Sequence, residues 1–221
     1  MHIVLGGTHG LGAEIAAQLR SAGEQTFVIG RSHVPADHGD GAKVDLMNAR
    51  DVQDLIARLD SLVASETAMH FYWCAGISYM GDFAAQTNAV DMVAVNFAGP
   101  IPLVQHVWQQ MLAKGTACRF VVVSSTTGVK ARASEAVYAG TKHAQVGFAR
   151  SLGLEAERLG AKIRVALFLP GGMQTQFWDH PWKPGSYEGF LDPKKVAQKM
   201  LRALADQIEP YYEETIERGS L

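Results

Sequence analysis

The stretch VVVSSTTGVKARASEAVYAGTK, residues 121–142, decides how this chain is read. Val121, Val122 and Val123 form a short β-branched run of the kind that fills a buried strand. The run ends in two hydroxyls, Ser124 and Ser125. A loop follows, then a helical segment carrying Tyr138 and Lys142. Four positions apart, they share one helix face. A strand that ends in a hydroxyl beside that face brings a phenol, an ammonium and an alcohol into one crevice. Such a set can move a proton to or from an oxygen atom.

Toward the N-terminus, His2 to Leu5 reads as a first strand, and Ile15, Ala16 and Leu19 repeat at helical spacing. Between them lies Gly6-Gly7-Thr8-His9-Gly10-Leu11-Gly12. Strand, glycine loop and helix make a phosphate cradle: glycines let backbone N–H groups approach a pyrophosphate, and the helix start adds about half a positive charge. The second strand, Thr26 to Ile29, runs into Gly30-Arg31-Ser32. A dinucleotide fold normally carries an acid here, to hold a free ribose 2′-hydroxyl. Gly30 offers none. Arg31, with Ser32 as a second donor, suits a 2′-phosphate instead, because arginine is the usual phosphate fork. The cofactor expected from these residues is NADP(H), with NADPH preferred over NADH.

The rest alternates in the same way. Residues 33–41 read as a polar loop with Pro35, and Ala42 to Val44 as a third strand closing on Asp45. Val52, Leu55, Ile56 and Leu59 mark an amphipathic helix, and Met69 to Trp73 a fourth strand ending in Cys74-Ala75-Gly76. Asn88 to Met111 reads as one long helix, kinked at Gly99-Pro100, with a carbonyl freed near Asn96. After the central stretch, the helix runs on to Leu159-Gly160, and Ile163 to Leu169 is a strand ending in Pro170-Gly171-Gly172. Residues 174–191 are irregular and rich in aromatics: Phe177, Trp178, Trp182, Tyr187 and Phe190. Asp192-Pro193 opens a last helix, and Tyr211 to Ile216 a last strand. Strands alternating with helices require parallel strands covered on both faces. The expected fold is α/β: a single Rossmann-like domain spanning residues 1–221, with a doubly wound parallel β-sheet. Ligands of such sheets lie outside the carboxyl ends of the strands, where five separate motifs fall.

Bulk composition narrows the classes. Of 221 residues, 48% are hydrophobic, enough for a sizeable core. A formal charge of −2 argues against a nucleic-acid surface. No apolar run is long enough to span a bilayer, and the chain starts directly on a strand and turn, which predicts no signal peptide. Cys74 and Cys118 both fall in or beside buried strands, so a cytoplasmic location without disulfides is expected. Cys74 reads as a small buried hydrophobe rather than a nucleophile.

With these residues collected, the chain resembles the short-chain dehydrogenase/reductase family from Ile3 to about Leu204. The family's T-G-x-x-x-G-x-G falls on Leu5 to Gly12, its N-N-A-G on Trp73 to Gly76 and its helical asparagine on Asn96. Its serine, thirteen positions before the tyrosine, falls on Ser125, its Y-x-x-x-K on Tyr138 and Lys142, and its P-G-x-x-x-T on Pro170 to Thr175. The resemblance implies roles. Tyr138 is the general acid or base, Lys142 lowers its pKa while holding the cofactor ribose, Ser125 steadies the substrate oxygen, and Asn96 holds a water that links Lys142 to solvent. Asp45 reaches the adenine, His9 lies near the 2′-phosphate, and Gly171, Met173 and Thr175 meet the nicotinamide end. Leu5 and Trp73-Cys74 depart from the family pattern. Both partners of a family hydrogen bond have become apolar or weakly polar, which predicts a packed pair.

The expected activity is NADP(H)-dependent reduction of a ketone or aldehyde, or oxidation of the alcohol, by hydride transfer. The substrate is a small molecule, apolar or aromatic, covered by a lid at about 174–191. A nucleotide-binding regulator without turnover, and an isomerase or dehydratase on the same fold, are the alternatives. The tail lacks the glycine-rich ending of many relatives, so a homodimer through the two long helices is expected rather than a tetramer.

Overall fold

The computed structural model describes residues 1–32, 34, 40–160, 162–178 and 185–221. Most of the loop expected over 33–41, and Trp182 of the aromatic segment, lie outside the described residues. Seven parallel strands form one sheet: β1 (His2–Leu5), β2 (Thr26–Gly30), β3 (Gly41–Lys43), β4 (Met69–Trp73), β5 (Cys118–Val123), β6 (Ile163–Pro170) and β7 (Tyr211–Ile216). Their order is β3-β2-β1-β4-β5-β6-β7. The chain winds outward from β1 to β3, then returns to β4 and winds the other way. The switch point between β1 and β4 is therefore where a crevice opens.

Period-two alternation assigns each strand residue to one of two apolar layers. Ile3, Phe27, Phe71, Phe120 and Leu167 point to one face, and Val4, Val28, Tyr72, Val121 and Phe168 to the other. The first face packs on α2 (Ala49–Val63), α4 (Pro100–Lys114) and α5 (Ala136–Arg158). The second packs on α1 (Gly10–Ser21) and α6 (Pro193–Asp206). Each fully buried large apolar side chain is worth about 1.5–3 kcal/mol, so the two layers outweigh any surface ion pair at about 0–1 kcal/mol. Asp192 caps α6, its carboxylate accepting from the Lys194 amide at 2.8 Å, with Pro193 in the first turn.

The helix expected over 88–111 is not continuous. It comprises α3 (Ala89–Val93), a π-helical turn (Ala94–Ala98) and α4. Pro100 has no N–H to give the Asn96 carbonyl four residues earlier. Gly99 has a separate reason: a Cβ there would lie 2.2 Å from the Leu46 carbonyl oxygen, so only glycine permits this approach. The third strand sits one residue earlier than expected, at Gly41–Lys43. Leu5 and Trp73 are register partners, both buried in the same apolar layer, with the Cys74 amide donating to the Leu5 carbonyl at 2.8 Å. Trp73 stacks on Phe97 at 6.2 Å between centroids and meets Phe148 edge-on at 6.0 Å, so ring packing fills the place where the chain departs from the family pattern. Cys74 and Cys118 are free thiols. Among the described residues no helix is long and apolar enough to cross a membrane.

Candidate active site

A cleft of about 410 Å³ runs along the carboxyl ends of β1, β2, β4, β5 and β6. That is within the range of small-molecule sites. Its wall carries Gly6, Thr8, His9, Gly10, Leu11 and Gly12, then Arg31, Ser32 and Asp45, then Cys74, Ala75 and Gly76. Ser125, Tyr138, Lys142, Pro170, Gly171, Met173 and Thr175 complete it. Asn96 is the one candidate that does not line it: it is fully buried behind the wall.

The glycine loop is built for close approach. Gly6 has φ +83°, and a Cβ there would lie 2.5 Å from the Ala75 amide nitrogen. A Cβ on Gly12 would lie 2.2 Å from the Gly6 carbonyl oxygen. The amides of Gly6 and Gly7 both donate to the Ile29 carbonyl, which turns the chain at the end of β1 and delivers it to the start of α1. The positive end of that helix faces the cleft, with no acidic side chain in its first turn to compete. Thr175 crosses from the other wall to within 3.4 Å of where a Gly10 Cβ would be. A narrow bed of backbone donors, kept open by missing side chains, fits a pyrophosphate. His9 is exposed, its Nδ1 3.1 Å from the Thr8 hydroxyl. The Asp45 carboxylate accepts from the Met47 amide at 2.9 Å.

At the other end, β5 and α5 meet as the central stretch requires. Successive strand residues face opposite ways, and the two serines divide accordingly. Ser124 donates to the Lys142 carbonyl at 2.9 Å, tying the strand to the helix, while Ser125 lines the cleft. Ser125 Oγ accepts from the Thr127 amide at 3.1 Å, and its hydroxyl is near enough to the Tyr138 phenol to lower that group's pKa. Capping a turn and facing the phenol are therefore compatible. Burial pushes the Tyr138 phenol above its ordinary range, the Ser125 hydroxyl opposes this, and the nearby Glu135 carboxylate adds to it. Glu135 is held by the Thr127 hydroxyl at 3.0 Å. The Lys142 Nζ lies 5.8 Å from the Tyr138 ring centroid and donates to the Val123 carbonyl at 3.2 Å and to Gln145 Oε1 at 2.9 Å. Burial pulls its ammonium down to about 8, and the neighbouring Cys74 would oppose that fall only as a thiolate. Burial also pushes the Cys74 thiol up to about 12, so it stays protonated and non-nucleophilic near neutrality.

Asn96 clamps the loop after β4. Its Oδ1 accepts from the Ile77 amide at 2.7 Å, and its Nδ2 donates to the Ile77 carbonyl at 2.8 Å and to the Thr141 hydroxyl at 3.0 Å. Phe177, Trp178, Tyr187 and Phe190 pack on one another, and Phe177 packs on the site. Phe177 lies 5.8 Å from Tyr138 and 5.3 Å from Trp178, and Trp178 lies 5.5 Å from Phe190. Met173 pairs with Leu191, closing the base of this segment. Sequence reading missed Arg132, Glu135 and Arg218, which also line the cleft. Arg218 reaches it from the C-terminal tail, its guanidinium 4.0 Å over the Phe190 ring. Its only sequence signal was an arginine just past the last strand. It missed Gln145 as well, whose signal was an amide within the apolar face of α5.

A sequence profile of short chain dehydrogenases matches residues 1–183. The chain belongs to the short-chain dehydrogenase family. Similar short-chain dehydrogenases include a putative ketoacyl reductase of Streptomyces coelicolor, 28% identical over 85% of this chain and 78% of the relative. A 3-oxoacyl-[acyl-carrier-protein] reductase of Mus musculus is 26% identical over 80% and 77%. Among solved structures, a ketoacyl-(acyl-carrier-protein) reductase of Brucella melitensis with NADH superposes with TM-score 0.81, at 20% identity, over 99% of this chain and 97% of that one. An actinorhodin polyketide ketoreductase with NADPH gives TM-score 0.80, at 23% identity, over 99% and 96%. These likenesses confirm the doubly wound fold.

Proposed function

We propose that this short-chain dehydrogenase is an NADP(H)-dependent carbonyl reductase, working on the alcohol in reverse, with Tyr138 as general acid or base. The observation that carries the reading is that Ser125, Tyr138 and Lys142 line one cleft, with the Lys142 ammonium 5.8 Å from the Tyr138 ring centroid. The names of relatives, ketoacyl and 3-oxoacyl reductases, support a carbonyl as the reacting group.

When bound, a nicotinamide dinucleotide supplies hydride in reduction and takes it in oxidation. Gly6, Gly10, Gly12 and the start of α1 would hold its pyrophosphate, and Arg31, Ser32 and His9 its 2′-phosphate. Asp45 would meet the adenine, Leu11 and Ala75 would wall the bed, and Pro170, Gly171, Met173 and Thr175 would flank the nicotinamide. Tyr138, held protonated by burial, gives its proton to the oxygen of the carbonyl being reduced. The Ser125 hydroxyl steadies that oxygen as charge develops on it. In the alcohol direction Tyr138 must lose its proton first, and the Lys142 ammonium stabilises the phenolate. Phe177 and Trp178 favour an apolar or aromatic substrate body, with residues 174–191 as the lid. Pairing of α4 and α5 with a second copy makes the expected homodimer.

The test mixes protein, NADPH and a panel of aryl ketones, diketones, quinones and 3-oxoacyl thioesters, following loss of the reduced-cofactor absorbance. Turnover that disappears in Tyr138→Phe is the expected result. Dinucleotide binding without turnover on any member overturns the reading. Arg31→Ala should weaken NADPH binding at least tenfold more than NADH binding; equal losses remove the 2′-phosphate assignment.

A further inference from the structure

Gln145 is fully buried, a polar side chain inside a helix face that otherwise packs on the sheet. Its amide spans two groups. Oε1 accepts from the Lys142 ammonium at 2.9 Å, and Nε2 donates to the Asn96 carbonyl at 2.9 Å. The second bond answers a need created fifty residues away. Pro100 cannot donate to that carbonyl, and a buried carbonyl left without a partner costs about 1–3 kcal/mol. The first bond answers another: a buried ammonium requires acceptors. One amide meets both because its two ends have opposite hydrogen-bonding character.

We infer that Gln145 is a positioning residue that locks the Lys142 ammonium to the broken helix at Asn96. The inference rests on the reading of Lys142 given above. The Asn96 carbonyl, beside which the resemblance places a water leading to solvent, here accepts from Gln145 at 2.9 Å. An amide holds a charge in place, but near neutral pH it is neither an acid nor a base that could pass a proton on. Lys142 is thereby held in place beside the Tyr138 ring. The groups facing Nζ are the Val123 carbonyl from β5, Cys74 from the end of β4, and Gln145 and the Tyr138 ring from α5. Of these, only Cys74 and Tyr138 titrate, and burial holds both in the neutral form near pH 7.

The test measures the titration of Lys142 directly, in protein labelled with ¹³Cε-lysine, its resonance assigned by its absence in Lys142→Met. Gln145→Met keeps the length and removes both hydrogen bonds. Gln145→Glu keeps the acceptor and adds charge. The Met variant should lower the Lys142 midpoint by about one pH unit or more, and the Glu variant should raise it. Where turnover is found, the alkaline limb of kcat/KM should move in the same two directions. Opposite movements distinguish a bond to the ammonium from simple space filling, which both variants disturb alike. Equal midpoints in wild type and both variants, or shifts of one sign, overturn the inference. Should no panel substrate react, the resonance titration still decides the position of Gln145. Should the Met variant unfold, Gln145→Asn, which withdraws the amide from the ammonium, takes its place with the same expected fall.

Discussion

Lys142 bears a charge at neutral pH in a place where burial works against it, with its ordinary 10.5 pulled down to about 8. Below pH 8 the side chain is protonated in both folded and unfolded states, and the folded state bears the full cost of burying it. Between pH 8 and 10.5 the folded state sheds the proton first, and the cost is relieved. Lys142→Met should therefore stabilise the protein at pH 7 while abolishing turnover. The gain should be about 1–3 kcal/mol, since a shift of this size is worth about 3 kcal/mol and the orphaned acceptors on Gln145 and Val123 return part of it. Urea unfolding at pH 7 and at pH 10.5 checks this; the gain should shrink at the higher pH. Position 30 carries a second residue-scale expectation. A Cβ there would lie 2.4 Å from Thr8 Cγ2, so Thr8 fills the space in which an acid would begin. Gly30→Asp alone should impair binding of both dinucleotides, and Gly30→Asp with Thr8→Gly should recover NADH binding in preference to NADPH. Titration by fluorescence measures both; NADH bound equally well by the single and double variants would contradict it.

The interrupted helix shows what a local reading captures at the level of an element. Proline and glycine marked where the ladder breaks, because proline's missing donor is a property of the residue itself. The form of the break, a π-turn, was not legible, nor was the reason for Gly99. That reason is the Leu46 backbone, delivered by the loop after β3. Gly99→Ala must push the start of α4 away from that loop, because the obstacle is backbone and not a flexible side chain. A loss of about 2–4 kcal/mol is expected by urea denaturation, in the range of other overpacked cores. The neighbouring Asn96 clamp on Ile77 should loosen with it, visible as faster amide exchange at Ile77. The strand-to-helix unit of β5 and α5 was more legible, since Tyr138 and Lys142 lie on one element and their common face follows from 3.6 residues per turn.

Across the whole sheet, register sets His2, His70, Arg119 and Arg164 side by side on β1, β4, β5 and β6, at the edge opposite the cleft. Burial holds His2 down to about 4 and His70 down to about 3, the N-terminal amine and Arg119 adding to both and His2 adding to the fall at His70. Above pH 6.5 both are neutral, folded or unfolded. As pH falls from 6.5 toward 3 the unfolded chain takes up protons that the folded chain refuses, so stability falls through that window, most steeply above pH 4, and levels off below it. His2→Gln with His70→Gln should flatten the pH 4–6.5 part of a thermal-unfolding profile; an unchanged slope would show that other groups cause it. This row is invisible in one dimension, because its members lie on four strands that only parallel pairing aligns. The same holds for Gln145 between Lys142 and Asn96, for Thr8 over Gly30, and for Arg132 and Arg218 in the cleft. By itself, the order of residues determined the alternating strands and helices, the glycine bed and the face shared by Tyr138 and Lys142, since each follows from periodicity within about twenty residues. Tertiary structure alone decided which distant polar groups meet in the interior, because burial favours pairing of donors with acceptors and leaves the choice of partner to the packing.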